Sequence, residues 1–217
     1  MKIQHQRGIY SKSILYIILA AFAAGFGLWA AQNLFNKPQL ESATAMQTVR
    51  LFPQVREIPD FALQSADGKL INKTTLNKHW TVVFLGFTHC PDICPTTLAE
   101  LSKAQKLWEA LPSETRPRVL FVSVDPERDT LKAIAEYAAF FHKDTLTATA
   151  KEPALTEFVQ SLALVYAKMP LKNGDYTMDH SATIVVLNPQ GNEVGIIRAP
   201  FMPQKIAADL IALSNNK

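Results

Sequence analysis

WTVVFLGFTHCPDICPTTLAELSKAQKLWEAL, residues 80–111, passes from strand to loop to helix within one segment. Trp80 to Phe87 is a continuous apolar run rich in β-branched and aromatic residues, which predicts a strand buried on both faces, as central and parallel strands are. From Pro95 to Leu111 the apolar residues Leu98, Leu101, Ala104, Leu107, Trp108 and Leu111 recur at helical spacing until Pro112 ends the pattern. The loop between them carries Cys90 and Cys94, the only cysteines of the chain.

On the N-terminal side, DFALQSADGKLIN after Pro59 reads as two short strands around an Ala66-Asp67-Gly68-Lys69 turn, a hairpin. On the C-terminal side a second buried strand is predicted at Arg118 to Val124, then a helix from Thr130 to about Phe141 with Asp129 as its cap. A short strand near Leu146 and a helix from about Pro153 to Val165 follow, then a polar turn at Lys172-Asn173-Gly174-Asp175 in a second hairpin. The strands ATIVVLNP and EVGIIRA, split by Gln190-Gly191-Asn192, and a helix after Pro203 complete the chain. Strands alternating with helices, then a β-hairpin and a last helix, give an α/β fold, and the element order fits the thioredoxin-like type.

The 217 residues hold 22 Lys plus Arg against 19 Asp plus Glu. That balance, evenly spread, excludes a nucleic-acid footprint. Ile14 to Ala31 is an 18-residue run without charge. As a helix it is about 27 Å long, against a hydrocarbon core of about 30 Å. Lys2, Arg7 and Lys12 precede it and only Lys37 follows closely, so the positive-inside bias keeps the N-terminus in the cytoplasm. The alternative is a cleaved signal peptide, disfavoured because the small-x-small candidate Ala21-Phe22-Ala23 lies inside the apolar core. No Cys follows the run, which argues against a lipoprotein anchor. The expected organisation is a cytoplasmic N-terminus at 1–12, a single-pass inner (cytoplasmic) membrane anchor at 13–32, a tether at 33–56 and a periplasmic domain at 57–217.

Two cysteines four apart at the start of a helix lie about one turn apart on one face, with Cα atoms roughly 6 Å apart. They can close a disulfide or hold one metal ion. The helix N-terminus should lower both thiol pKa values through its dipole and free N–H groups. A purely structural bridge gains little, because so small a loop carries little chain entropy and Pro91 and Pro95 already stiffen it. A metal site and a redox site both remain open. His180, in YTMDHSATIVVLN, stands at the mouth of a late strand, and its position alone does not decide between them.

Three segments in order, LGFTHCPDICP at Leu85 to Pro95, SVDPERDT at Ser123 to Thr130, and Asp179-His180, resemble the SCO/SenC family of copper proteins associated with cytochrome c oxidase assembly. The likeness covers Ile58 to Leu213. It implies that Cys90, Cys94 and His180 bind copper, that Cys90 and Cys94 also form a redox-active disulfide, and that the thioredoxin-like fold carries an inserted hairpin. It further implies an N-terminal membrane anchor, with the copper-site subunit of the oxidase, a copper-loading protein and a thiol reductant as partners.

Two thiolates favour Cu(I) and an imidazole suits Cu(I) and Cu(II), so this set can retain copper in either state. Structural zinc sites are four-coordinate, whereas three ligands leave an open position for delivery by ligand exchange. Thioredoxin-like reductases use CxxC and a cis-proline before a late-strand Thr; here the spacing is CxxxC and Ala182 precedes Thr183. That disfavours general disulfide reduction, which stays the runner-up beside a redox or copper sensor. Of the neighbours, His89 should point away from Cys90 by strand alternation. Asp92, Asp125 and Asp179 are candidates for orienting a ligand or meeting a partner, with Asp125–Arg128 as a surface pair being the plainer reading. Met169 and Met178 read as filler.

Overall fold

The computed structural model describes residues 7–35 and 46–215. The chain divides into two compact units, Met1–Ala45 and Met46–Lys217. The first unit holds α1, Arg7–Phe35. Its described side chains, Ile14 to Trp29, are exposed and uncharged. Among the described residues no helix is long and apolar enough to cross a membrane. The expected anchor at 13–32 runs past those side chains at both ends, and residues 1–6 of the N-terminus and 36–45 of the tether lie outside the described residues.

The second unit runs β1 (Arg50–Arg56), β2 (Leu63–Gln64), β3 (Leu70–Ile71), α2 (Lys73–Leu76), β4 (Thr81–Gly86), α3 (Ile93–Trp108), β5 (Arg118–Ser123) and α4 (Leu131–Phe141). It continues with β6 (Leu146–Ala148), α5 (Ala154–Ser161), β7 (Tyr166–Pro170), β8 (Tyr176–His180), β9 (Ile184–Leu187), β10 (Glu193–Ile197) and α6 (Pro203–Asn215). Six strands form one mixed sheet in the order β1-β10-β9-β4-β5-β6, and β2-β3 and β7-β8 are separate two-stranded hairpins. β4 runs parallel to β5 and antiparallel to β9. All six of its residues are buried, so both faces of this central strand are covered. This is the mixed α/β, thioredoxin-like arrangement that the alternation of strands and helices predicts.

Three expectations need correction. Residues 50–56, read as tether, are edge strand β1 paired with β10. The strand escaped notice because it is exposed almost throughout and contains Pro53, so it shows no apolar alternation. Its approach is fixed by buried Asp209, which accepts the N–H groups of Gln47, Thr48 and Val49. Asp129 does not cap α4. Thr130 does, accepting the Ala133 N–H at 3.1 Å, and Asp129 is buried for another purpose given below. Helix α5 ends four residues short of Val165 because Ala163 takes a left-handed conformation (φ 52°), a choice that alanine does not advertise in sequence.

Candidate metal centre

Strand β4 ends at Gly86, a position with no room for a side chain. A Cβ on Gly86 would stand 2.5 Å from Cε2 of Phe121 and 2.8 Å from the Sγ of Cys94. The chain then turns through Phe87 to Asp92, closed by the Cys90 N–H bonding the Phe87 carbonyl at 3.3 Å, and enters α3. The buried residues of α3 are Cys94, Thr97, Leu98, Leu101, Ser102, Ala104, Gln105 and Trp108, so Cys94 is the first residue of the helix's core face. Cys90 lies before the helix and stays half-buried. Its Sγ accepts the Cys94 N–H at 3.4 Å, satisfying one of the free N–H groups of the helix start. Both cysteines are free thiols.

His180 ends β8 and comes at the cysteines from the opposite side. Its Nδ1 faces the Ser181 carbonyl at 3.2 Å and its Nε2 faces the Cys94 Sγ at 3.5 Å. A carbonyl only accepts, so Nδ1 carries the proton and the Nε2 lone pair points at the sulfur. The rings of Phe84 and Phe87 meet this imidazole edge-on, each with centroids 6.1 Å away. One donor atom from each of Cys90, Cys94 and His180 lies within 4.8 Å of the others. Two thiols and an imidazole in the ligating tautomer make a soft, three-donor site able to hold copper.

Burial lowers the pKa of His180, opposed by its bond to Ser181 and the charge of Asp179, so the ring is neutral at pH 7. Burial also pushes the Cys94 thiol far up, and the hydrogen bond with Cys90 adds to this. The expectation that helix geometry makes both thiols ionise readily therefore fails at Cys94: desolvation of a fully buried sulfur outweighs the helix dipole. A metal ion would have to displace that proton.

The neighbours sort themselves. His89 is exposed, its Nδ1 3.0 Å from the Thr88 hydroxyl and 3.6 Å from Asp129, and it is not one of the converging trio. Asp92 and Asp179 are exposed, and Asp92 makes no side-chain cap to α3. Asp125 with Arg128 is an ion pair at 2.6 Å, but Asp125 is buried rather than on the surface, and Tyr176 donates to it at 2.9 Å. Met178 is core filler and Met169 is exposed. Sequence reasoning missed what Asp129 does. It accepts the Thr88 N–H at 2.9 Å, the Thr88 hydroxyl at 2.5 Å and the Ser123 hydroxyl at 2.6 Å, tying the cysteine loop to the end of β5. The signal was its place in SVDPERDT, which does not say what an acid there will hold.

Glu109, His142 and Asp144 form a second trio with donor atoms within 4.8 Å of one another. There, however, the His142 Nδ1 receives the Asp144 N–H at 3.2 Å, so Nε2 carries the proton and faces Glu109 at 3.1 Å. This ring is in the wrong tautomer to ligate through Nε2, and both of its nitrogens already have hydrogen-bond partners.

A family model described as SCO1/SenC matches residues 52–215. The bovine mitochondrial SCO2 homolog is 37% identical over 133 residues, a match covering 61% of this chain and 50% of that protein. The human mitochondrial SCO2 homolog is 33% identical over 177 residues, covering 81% of this chain and 65% of the relative. The chain thus spans about half to two thirds of these relatives' lengths. Among solved structures, that of Bradyrhizobium japonicum ScoI with copper bound superposes with a TM-score of 0.65 at 32% identity, covering 71% of this chain and 97% of the other.

Proposed function

Because this chain belongs to the SCO1/SenC family, we propose that it is a copper-binding protein of cytochrome c oxidase assembly that carries copper on Cys90, Cys94 and His180 to the oxidase's copper-site subunit. The observation that carries this reading is the meeting of two free thiols and the Nε2 lone pair of His180 within 4.8 Å. Copper is the cargo, not a resident cofactor. Three protein ligands leave one position through which an acceptor thiolate can enter before the donor's own ligands leave. Cys90 lies half-buried toward solvent and Cys94 is fully buried, so the exchange begins on the Cys90 side.

The same reading makes α1 a single-pass anchor in the cytoplasmic membrane, supported by the uncharged run Ile14 to Ala31 and the basic residues before it, with the copper domain on the periplasmic side. A copper-loading protein supplies the metal. A thiol reductant keeps Cys90 and Cys94 reduced, because a disulfide offers no thiolate to a metal.

Thiol-disulfide exchange is a second reading favoured by one specific observation, an accessible sulfur at Cys90 beside a buried one at Cys94. In that reaction Cys90 attacks a partner's disulfide, Cys94 resolves the mixed disulfide, and two electrons and two protons pass to the partner's thiols.

The two readings separate in one experiment on the reduced unit Met46–Lys217, loaded with copper in the absence of oxidant. Stoichiometric copper with an intense thiolate-to-Cu(II) absorption band, abolished in Cys90→Ala, is the expected result. No bound copper, together with a readily reversible Cys90–Cys94 disulfide, would replace transport by reduction.

A further inference from the structure

Hairpin β7-β8, which presents His180, does not belong to the six-stranded sheet. Only Met178 of its ten strand residues is buried. Its far end is held instead by the loop after β5. There the Arg128 Nε donates to Asp125 at 2.6 Å and its terminal nitrogen Nη1 donates to the Tyr176 carbonyl at 2.9 Å. The guanidinium lies 3.7 Å from the Tyr176 ring centroid, and the Tyr176 hydroxyl returns to Asp125 at 2.9 Å. Arg128 also stands 5.9 Å from the Phe87 ring, whose edge-on partner is His180. The loop therefore grips the hairpin at its tip and, through Phe87, reaches the imidazole itself.

We infer that Asp125, Arg128 and Tyr176 form a latch whose task is to hold the His180 hairpin over the two sulfurs. They are positioning residues. None is among the metal-ligating trio, and each acts through the place it gives His180. The closed ring of contacts, with buried Asp125 serving both Arg128 and Tyr176, explains why a charged pair sits at the tip of an exposed hairpin: charge-assisted bonds replace the apolar contacts that the hairpin lacks. The consequence for metal binding rests on the copper reading given above. Cu(I) is satisfied by two thiolates, whereas Cu(II) needs the imidazole, so opening the latch must weaken Cu(II) selectively.

The test compares the full chain with Tyr176→Phe, which removes only a hydroxyl, and Arg128→Lys, which keeps the charge and removes the planar fork. Lys132→Ala serves as control, since its pair with Glu136 is exposed and touches none of the three. In the metal-free protein, carbethoxylation of His180 by diethyl pyrocarbonate, read by mass spectrometry against His142, is expected to run about fivefold faster in Tyr176→Phe, the worth of one hydrogen bond. In the same variants Cu(II) affinity is expected to fall about tenfold while Cu(I) affinity, measured against a chromophoric chelator, stays within about twofold. Unchanged His180 reactivity in both variants overturns the latch. So does an equal loss of Cu(I) and Cu(II) with a lower urea midpoint, which would make these residues general supports of the fold. Should the parent chain bind no copper, the transport reading fails alone, and the reactivity of His180 still decides the latch.

Discussion

The two sulfurs and the imidazole reach one point from regions built on different terms. Cys90 and Cys94 follow β4, a central strand buried along its whole length, and Cys94 opens the core stripe of α3. His180 rides on β7-β8, a pair of strands outside the main sheet, anchored by Met178, by the bonding of Ser181 to Val165 and by the loop at Asp125–Arg128. Moving the sulfurs means disturbing the core, while moving the imidazole means releasing a hairpin with few apolar contacts. Local opening follows low contact density, so the donor set combines a fixed half with a half that can depart alone. On the transport reading proposed above, an acceptor thiolate enters beside Cys90, and the imidazole is the donor freest to leave.

The strongest way to break this picture is to remove the fixed half. Cys94→Ala is expected to abolish binding of Cu(I) and Cu(II) alike, a loss of more than about a thousandfold, checked by copper content after gel filtration. Retention of Cu(I) would mean that Cys90 and His180 suffice. Removing the movable half should do less. His180→Ala is expected to weaken Cu(II) about a hundredfold and Cu(I) by less than about tenfold in chelator competition, and equal losses would erase the distinction between the two arms.

Gly86→Ala sharpens the comparison from the core side, because the new methyl must displace the Phe121 ring or the Cys94 sulfur. It is expected to cost about 2 kcal/mol in urea unfolding of the metal-free protein, and an unchanged midpoint would show that the sulfur has room to move. The smallest effect is one of pH. Burial holds the His180 pKa below its ordinary value of 6.5, so as pH falls below 6.5 the unfolded chain takes up a proton that the folded chain still refuses. The stability that neutral His180 contributes to the metal-free protein is therefore present above pH 6.5 and declines below it. In His180→Gln the decline between pH 7 and 5 should be shallower by less than about 1 kcal/mol.

Much of this was legible in the chain. The apolar run Trp80 to Phe87 reads as a covered strand and β4 is one, whereas the burial of Cys94, four residues before Leu98 on the core face of α3, was not read from the sequence. The consequence, a sulfur too desolvated to ionise readily, was missed because the helix dipole was weighed without that burial. Edge strand β1 was hidden by its exposure, and the end of α5 by an alanine in an unusual conformation.

By itself the sequence determined the elements that rest on local periodicity and composition: the central strands, α3 and α4, both hairpins, and the spacing that puts two thiols one turn apart. Only the tertiary structure decided which polar groups meet across long separations. Asp129 closes on Thr88, Tyr176 on Asp125 and His180 on Cys94, across 41, 51 and 86 residues respectively. The reason is physical: side-chain period reports which face of an element is buried, but the partner of a buried acid or imidazole is set by how whole elements pack, which no local pattern encodes.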